Sequence, residues 1–375
     1  MDDQPTVADR PQPRPSVLDI TPYKAGDAKI PGHAQVVKLA SNESPLGPSP
    51  QAVEAIRAGL GDLERYPDPA SVELRAAIGA AHDLDPDGIV VGSGSEQLLG
   101  HLIRLYADAG DEVLQTEHAF VVYRIAARGI GAVPVFAPET DFTTDVDALL
   151  SCVTQRTRVV CVANPGNPTG TWLPASELRR LRAALPSRIL LVIDAAYAEY
   201  LEQDDSYTAG HDLVAEAART GADNVVVTRT FSKVYGLAAL RLGWMHGPPS
   251  VVDAVNRVRE AFNVTRPAQV AGVAALADRA FVRAALDLNA RELARVSRAV
   301  GDMGLAVSPS GANFVLVHFP GGPDQAAAAD AALRDAGIIV RPVANYGLPQ
   351  CLRITIGTEA QNRIVINGLQ RFLGG

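Results

Sequence analysis

Cysteine is scarce in this sequence, with three in 375 residues. Cys152, Cys161 and Cys351 are an odd number, and they lack the CxxC or metal-ligand spacing of a cysteine-based site. This pattern argues against a disulfide framework and fits a reducing compartment. We therefore predict that the cysteines are packing residues and that the chain binds no metal.

A basic surface and a long apolar run are also missing. The formal net charge is -8, which disfavours nucleic acid and anionic membranes as partners because either needs a basic face. No apolar run approaches the ~20 residues of a membrane span, and the N-terminus lacks the apolar core of a signal peptide. We expect a cytoplasmic protein that holds any anionic ligand with a few local arginines and backbone amides.

The sequence does contain a regular alternation of helical patterns and short β-rich runs. Helical stretches such as QAVEAIRAGL alternate with GIVVG, DEVLQT, AVPVFA, TRVVCVA, RILLVID and NVVVTRT. Continuous apolarity in several runs is typical of strands buried on both faces of a parallel sheet. We predict an α/β fold whose ligands bind at the carboxyl ends of the strands.

The C-terminal part has a different pattern. A long helical stretch over about 267–303 precedes ANFVLVHF, GIIVRPV and CLRITIG, and an alanine run near 326–332 favours a further helix. This is typical of a smaller α+β domain, against which the N-terminal segment is expected to pack. The predicted division is a mobile N-terminal arm over 1–16, a large domain over 46–262, and a small domain from 17–45 and 263–375.

Two loops that follow predicted strands could bind a ligand. VVGSGSEQLL combines a strand, a glycine-rich turn and a helix start, but Gln97 stands where a dinucleotide fingerprint needs glycine. The backbone amides of Gly94, Ser95 and Glu96 could cradle a phosphate, or the segment is simply a tight turn. ANPGNPTG is likewise either a well-specified turn or a rigid presentation of an asparagine amide.

Asp194 and Lys233 follow two further predicted strands. A carboxylate in the position of Asp194 is costly to bury unless it caps the next helix or faces a cation. Lys233, in TRTFSKVYGLAALRLGW, has apolar neighbours that should lower its pKa and leave a nucleophilic neutral amine, unless it simply reaches the surface from a loop. Because four such features converge on one edge of the sheet, we predict a site there.

The ordered set NPGNPTG, DAAYAEY and TFSKVYGLAALRLGW resembles the fold-type I aminotransferases that use pyridoxal 5′-phosphate, and the likeness covers nearly the whole chain. KLASNESPLGPSP, RYPDP, GSGSEQ, RPVANYGLP and CLRITIGT are similar to the histidinol-phosphate aminotransferases of that family. The chain departs from their pattern at Ser44, at Ala261 and in the turn sequence SEQ. The resemblance implies a large domain with a mostly parallel seven-stranded sheet flanked by helices, plus a smaller α+β domain.

The resemblance also assigns roles around the cofactor. Lys233 would form a Schiff base with the cofactor aldehyde and later shuttle a proton, while Asp194 would pair with the pyridinium nitrogen. Asn167 and Tyr197 would bind the ring oxygen, and the catalytic set implied is Lys233, Asp194 and Tyr197. The remaining cofactor contacts implied are the stacking Phe120 and the phosphate-binding Gly94, Ser95, Glu96, Thr230, Ser232, Arg241 and, from a neighbouring subunit, Tyr66. That last contact implies a homodimer with shared active sites.

Four residues are implied on the substrate side. Arg353, in CLRITIGT, matches the arginine that binds the substrate anion, either the carboxylate of glutamate or the phosphate of histidinol phosphate. Arg341 and Tyr23 resemble further phosphate contacts, although a surface salt bridge is the alternative for Arg341. Asn42 lies in the N-terminal loop that the family folds over the substrate.

The activity implied is amino transfer between L-histidinol phosphate and 2-oxoglutarate by a ping-pong mechanism, in histidine biosynthesis. An aromatic amino acid (phenylalanine or tyrosine) aminotransferase is one alternative, because an imidazole pocket can accept phenyl rings. A threonine-phosphate decarboxylase-like lyase is another. A transcription regulator with an aminotransferase-like domain would need an added DNA-binding domain, for which the segment before KLASNE is short.

Overall fold

The structure, a computed structural model, describes residues 12–23 and 26–374, so most of the predicted N-terminal arm lies outside the described residues. The α-helices, numbered in chain order, are α1 Pro15–Leu18, α2 Pro50–Ala58, α3 Val72–His82, α4 Ser95–Tyr106, α5 Val121–Ile130, α6 Val146–Ser151, α7 Ala175–Ala184, α8 His211–Arg219, α9 Pro249–Val258, α10 Arg266–Ala277, α11 Arg279–Gly301, α12 Gly322–Asp335 and α13 Glu359–Gly374. The strands are β1 Val37–Lys38, β2 Ile89–Gly92, β3 Glu112–Thr116, β4 Val133–Ala137, β5 Glu139–Thr140, β6 Thr143–Thr144, β7 Thr157–Ala163, β8 Leu190–Asp194, β9 Val225–Thr230, β10 Gly243–His246, β11 Ala306–Val307, β12 Phe314–His318, β13 Ile338–Ile339, β14 Arg341–Val343 and β15 Leu348–Thr355.

A seven-stranded sheet organises the larger part of the molecule, in the order β2-β10-β9-β8-β7-β3-β4. Adjacent strands in this sheet are parallel except at β10, which runs antiparallel to both β2 and β9. Pro134 lies in the edge strand β4, where a missing backbone N–H removes no interior ladder bond. The predicted α/β fold with a mostly parallel sheet is confirmed.

The central strands are apolar throughout because both of their faces are covered. In β8, Leu191 and Ile193 pack into a core formed with α6, α7 and α8. The alternate residues Leu190 and Val192 pack into a second core with α4, α5 and α9. Successive side chains of a strand point to opposite faces, so one short strand contributes to both cores.

A four-stranded antiparallel sheet of order β11-β12-β15-β14 forms the smaller part and packs against α11, α12 and α13. The N-terminal strand β1 pairs in parallel with β13, with Val37 opposite Ile338. This pairing brings Val37 and Lys38 next to the C-terminal part, in the direction that the sequence predicts. The division at residues 45 and 263 stays a prediction.

The long helical stretch predicted over about 267–303 is two helices, α10 and α11, that meet at Asp278. The Asp278 carboxylate accepts a hydrogen bond from the Phe281 N–H at 3.2 Å and caps the start of α11. The other oxygen accepts from the Ser49 hydroxyl. α10 contributes Ala268 and Ala271 to the same apolar cluster as strand residues of β2 and β10. The alanine run near 326–332 is helical, within α12, as predicted.

Three histidines with few polar partners cluster around Trp244 of β10: His82 at the end of α3, His211 at the start of α8 and His246 at the end of β10. His211 stacks on Trp244 with ring centroids 5.4 Å apart, His82 lies 5.1 Å from the same indole, and His246 Nδ1 is 3.2 Å from His211 Nδ1. Burial lowers the pKa of His82 to about 3 and that of His246 to about 4, and it lowers the pKa of His211 strongly. Arg229, which is also buried, lowers the pKa of His82 and His211 further. The cluster is therefore held in the neutral form.

All three cysteines are free, and Cys161 and Cys351 are buried. Burial raises the pKa of the Cys351 thiol to about 12, as expected for a packing residue rather than a reactive one. None of the helices in the described part of the chain combines the length and the apolar character needed to cross a bilayer.

Candidate functional site

Polar side chains converge where β7, β8 and β9 end. β7 runs into the loop that begins at Asn164, Asp194 is the last residue of β8, and Lys233 follows β9 by three residues. The strands are parallel, with Ala163 opposite Asp194 and Asp194 opposite Thr228, so their carboxyl ends meet at one edge. A cavity of about 240 Å³ opens at this edge, as the sequence predicts.

Asp194 is 6 % exposed and held by neutral donors. Its carboxylate accepts hydrogen bonds from the Tyr123 hydroxyl at 2.7 Å and from the Thr228 hydroxyl at 3.3 Å. Burial raises the pKa of Asp194, and its hydrogen bonds and the charge of Lys233 only partly oppose this. A cationic group in the cavity would stabilise the carboxylate, so the geometry favours the ligand-facing interpretation of Asp194 over the helix-cap alternative.

Lys233 points its amine into the same cavity. Nζ lies 3.4 Å from the carbonyl oxygen of Ser41 and 5.6 Å from the centre of the Tyr197 ring. Burial, followed by the nearby charge of Arg353, lowers the pKa of Lys233 to about 7. A large fraction of the amine is therefore neutral near pH 7 and available as a nucleophile or a base.

A phosphate-sized cradle lies at the start of α4. Gly94 has φ +83°, a left-handed conformation that favours glycine. Gly243 is constrained by space instead, because a Cβ on it would lie 2.2 Å from the Ser95 backbone nitrogen. These glycines bring the free amides of a helix N-terminus next to a guanidinium, as a phosphate site needs.

Donor groups from the end of β9 complete this cradle. The Thr230 hydroxyl accepts from the Ser232 N–H at 3.1 Å, and the Ser232 hydroxyl accepts from Arg241 Nη1 at 3.4 Å. Arg241 has φ +51°, a conformation that costs roughly 1 kcal/mol outside glycine. Its guanidinium is half-exposed and 4.0 Å from the Glu96 carboxylate, so it can turn toward an anion.

Arg353, from β15, lines the same cavity. It is 6 % exposed, and it donates to the Asn167 side-chain oxygen at 2.5 Å and to the Ala40 carbonyl at 2.8 Å. Its Nε has no hydrogen-bond partner among the described residues. The guanidinium lies 5.3 Å from the Phe314 ring and faces no carboxylate in the described part of the chain. A buried cation of this kind is a site for a ligand anion.

The two asparagines of ANPGNPTG have different tasks. Asn164 turns back on its own loop, since its side-chain oxygen accepts from the Leu173 N–H at 2.8 Å and its carbonyl accepts from the Tyr207 hydroxyl at 2.8 Å. Asn167 lines the cavity and contacts Arg353. Asn164 therefore specifies the turn, whereas presentation of the Asn167 amide to a ligand stays a prediction.

Asn42 connects the N-terminal loop to both parts of the molecule. Its amide nitrogen donates to the Tyr197 hydroxyl at 2.8 Å, its side-chain oxygen accepts from Thr355 at 3.1 Å, and its carbonyl accepts from Asn313 at 3.1 Å. It is 1 % exposed, and its backbone is in the left-handed region with φ +56°. The loop is thus fixed over the cavity, next to Tyr197, whose pKa burial raises to about 12.

Nearly all of the residues named from the sequence meet in this one cavity. Its lining includes Tyr23, Asn42, Ser95, Glu96, Phe120, Asn167, Asp194, Tyr197, Thr230, Ser232, Lys233, Arg241, Arg341 and Arg353. Gly94 lies on the turn beside it. Tyr66 lies elsewhere, 80 % exposed and stacked on Phe262 with ring centroids 4.4 Å apart. Its assignment to the site of a second subunit stays a prediction.

A comparison with known families agrees with this geometry. The profile of the family described as aminotransferase class I and II matches residues 34–369, which include every residue of the cavity except Tyr23 and Gly26. The chain belongs to this aminotransferase family.

Several proteins are similar to this aminotransferase over nearly their full length. The histidinol-phosphate aminotransferase of Paramagnetospirillum magneticum is 51% identical over 366 residues, covering 97% of this chain and 99% of that protein. That of Rhodospirillum rubrum is 49% identical over 373 residues, covering 99% of each. The crystal structure of histidinol-phosphate aminotransferase from Sinorhizobium meliloti in complex with pyridoxal-5′-phosphate superposes with a TM-score of 0.86 at 30% identity, covering 96% of this chain and 97% of that one.

The sequence reasoning missed two residues that hold Asp194 in this aminotransferase. Tyr123 belongs to α5, whose preceding residue is Phe120, and it crosses to β8 only in the folded chain. Thr228 lies directly opposite Asp194 in the β8–β9 register. The sequence did offer one signal for Thr228. It lies two residues before Thr230 on the same strand, and residues two apart on a strand share a face, so Thr228 could be expected on the same face of the sheet as Thr230. No comparable local signal marks Tyr123.

Proposed function

We propose that this aminotransferase uses pyridoxal 5′-phosphate to exchange an amino group between L-histidinol phosphate and 2-oxoglutarate, giving 3-(imidazol-4-yl)-2-oxopropyl phosphate and L-glutamate. The observation that carries the proposal is one cavity that holds a lysine amine, a buried carboxylate and a buried arginine. The identity of 51% to a named histidinol-phosphate aminotransferase over 97% of the chain supports the choice of substrate.

The residues present fit this cofactor. Arg241, Ser232 and the amides at the start of α4 offer donors to a dianionic phosphate. Burial raises the pKa of Asp194, and a protonated pyridine nitrogen facing this carboxylate would favour its charged form. Phe120 lines the cavity as the residue that stacks on the ring. When bound, the cofactor supplies an aldehyde that an amine can attach to and a ring that withdraws electrons.

The chain's own groups then bind, orient and move protons. Lys233 Nζ, whose pKa lies near 7, would take the proton from the substrate Cα and deliver it to the cofactor carbon C4′. Asp194, oriented by Tyr123 and Thr228, keeps the ring nitrogen charged. Tyr197, oriented by Asn42, and Asn167 donate hydrogen bonds toward the ring oxygen. In this proposal the chain supplies both a base, Lys233, and an electrostatic partner for the ring, Asp194.

Arg353 is the proposed group for the substrate anion. Its nitrogens are bonded to neutral oxygens of Asn167 and Ala40, which a carboxylate or phosphate can replace with stronger charge-assisted bonds. One cation serving both substrates in turn suits a ping-pong reaction. Arg341 and Tyr23 line the same cavity and are proposed to bind the phosphate of histidinol phosphate.

We further propose a homodimer in which Tyr66 reaches the phosphate site of the second subunit. Tyr66 and Phe262 are both exposed and stack on each other with ring centroids 4.4 Å apart, and Leu60 and Leu63, close to Tyr66 in the chain, are exposed as well. Exposed apolar surface of this kind is typical of a contact between copies of a chain.

The free cysteines fit a cytoplasmic location, which we also propose for this protein.

A substrate panel tests the proposed function. We expect kcat/KM for L-histidinol phosphate with 2-oxoglutarate to exceed the values for phenylalanine and tyrosine. A value for phenylalanine about tenfold higher than for histidinol phosphate would instead identify an aromatic amino acid aminotransferase. Release of carbon dioxide from phosphothreonine without amino transfer would identify a lyase.

A further inference from the structure

A second cavity adjoins the site on its N-terminal side. It has a volume of about 500 Å³, and its walls come from residues 20–23 and 26–27, from one face of α5 and from β14. Tyr23, Gly26 and Arg341 line both this cavity and the one at the strand ends. The two spaces therefore meet at a wall that includes two proposed substrate-binding residues. We call this second cavity the vestibule.

The vestibule is positively charged although the chain is acidic. Among the described residues, four arginines and one aspartate, Asp27, line it, on a chain of net charge -8. Asp27 is paired with Arg334 at 2.8 Å, and Arg334 is also paired with Asp330. Arg334 is therefore shared by two carboxylates, and these three groups together carry one negative charge and add nothing to the positive charge of the wall.

Arg124 and Arg128 supply charge that no acidic partner cancels in the part of the chain that the structure describes. They lie one turn apart on α5, where like charges repel. Arg124 donates to the Asn345 carbonyl at 2.7 Å, and Arg128 donates to the Asp19 carbonyl at 3.3 Å. Burial and the charge of Arg128 lower the pKa of Arg124, so this arrangement is costly without an anion.

The helix that carries these arginines also leads to the reaction site. Phe120, which lines the inner cavity, immediately precedes the first residue of α5. At 1.5 Å per residue, Arg128 lies roughly 12 Å along the helix from Phe120. That distance is similar to the Debye length of about 10 Å in 0.1 M salt, so the charge acts on a ligand over this path and salt weakens it.

We propose that the vestibule is an access site for anionic substrates, in which Arg124 and Arg128 attract and hold a carboxylate or phosphate group before it passes Tyr23 and Arg341 to Arg353. This inference rests on the proposed function, because it takes the inner cavity as the reaction site. Neither arginine contacts the reacting atoms. Both raise the rate of productive capture rather than the rate of the chemical step.

The experiment measures kcat/KM of the cofactor-loaded enzyme with 2-oxoglutarate, glutamate and histidinol phosphate at about 0.01 and about 0.5 M salt. For Arg128→Gln at low salt we expect a loss of about threefold for 2-oxoglutarate, which carries two net negative charges. Glutamate and histidinol phosphate carry one net negative charge, so their loss should be below about twofold. Arg124→Gln/Arg128→Gln should lose about tenfold with 2-oxoglutarate, with kcat unchanged.

Two controls separate steering from general effects. Arg219→Gln removes the same charge from the exposed end of α8, which leads into the amino end of β9 at the opposite edge of the sheet. It should leave all kcat/KM values unchanged, whereas Arg128→Lys should restore the wild-type values. Losses that persist at high salt, that are equal for all substrates, or that are absent in the double variant would each overturn the proposal. Failure of histidinol phosphate alone to react would refute the proposed substrate and leave the 2-oxoglutarate test intact.

Discussion

Acidification from pH 7 to pH 5 should weaken the fold through the buried histidines, and replacement of His82 by phenylalanine should remove part of that effect. His82 packs against Trp244 and has an Nε2 without a hydrogen-bond partner in the described chain. Phenylalanine preserves the ring contact and cannot be protonated. The variant therefore isolates the contribution of one proton-binding group.

The sign follows from the pKa of His82, which falls from 6.5 to about 3 on folding. The unfolded chain binds a proton near pH 6.5 and the folded chain does not, so this stability is present above pH 6.5 and is lost as the pH falls toward 3. At pH 5 the loss spans about 1.5 pH units, worth about 2 kcal/mol at 1.36 kcal/mol per unit. Solvent reaching the partly buried ring reduces this to about 1–2 kcal/mol.

The assay is equilibrium unfolding in urea at pH 7, 6 and 5 for the wild type, His82→Phe and His33→Phe. His33 is exposed, so its replacement should leave the pH dependence as in the wild type. Asp194 and Glu199 have raised pKa values and act in the opposite direction, but they are common to all three proteins and cancel in the comparison. A loss between pH 7 and pH 5 that is the same in His82→Phe and the wild type would refute the reasoning.

Three further predictions concern the site. Lys233→Ala should abolish the visible absorbance of the lysine-bound cofactor and essentially all turnover; activity near wild type would remove Lys233 from the mechanism. Asp194→Asn should retain cofactor but lower kcat by about three orders of magnitude, because a neutral amide cannot hold a charged ring nitrogen; a loss below tenfold would contradict its proposed role. The variants Tyr66→Ala and Lys233→Ala should each be inactive or weakly active alone. When the two are unfolded together and refolded as mixed dimers, about a quarter of wild-type activity should return. No activity should return if Tyr66 serves the site of its own subunit.

The sheet and its ligand-binding edge could be predicted because their determinants are local. Val225–Thr230 and Leu190–Asp194 are continuous apolar runs that end in polar residues, and parallel strands bring such ends together. The helix break at Asp278 was missed because apolar periodicity continues on both sides of it. The cap is visible only once Ser49 and Phe281 are placed around the carboxylate.

The supports of the site depend on contacts between distant parts of the chain. The bond from Tyr123 to Asp194 joins residues 71 positions apart, and the bond from Arg353 to Asn167 joins residues 186 positions apart. Periodicity and turn chemistry carry no information on such pairs. The roles of Arg353 and Asn42 were therefore available only through resemblance to a family, and their partners only through the fold.

The pairing of β1 with β13 has a consequence for how the protein is made. The Asn42 backbone N–H donates to the Thr355 hydroxyl, which lies 313 residues later in the chain. Asn42 itself follows closely after β1, the strand that pairs with β13. On the ribosome, the segment that carries Asn42 emerges first and waits for partners that are synthesised last. The central sheet can assemble during translation, but the reaction cavity acquires its Asn42 wall only after the C-terminal strands have been released. A chain whose synthesis stalls before Thr355 would lack the partner that fixes Asn42 over the cavity.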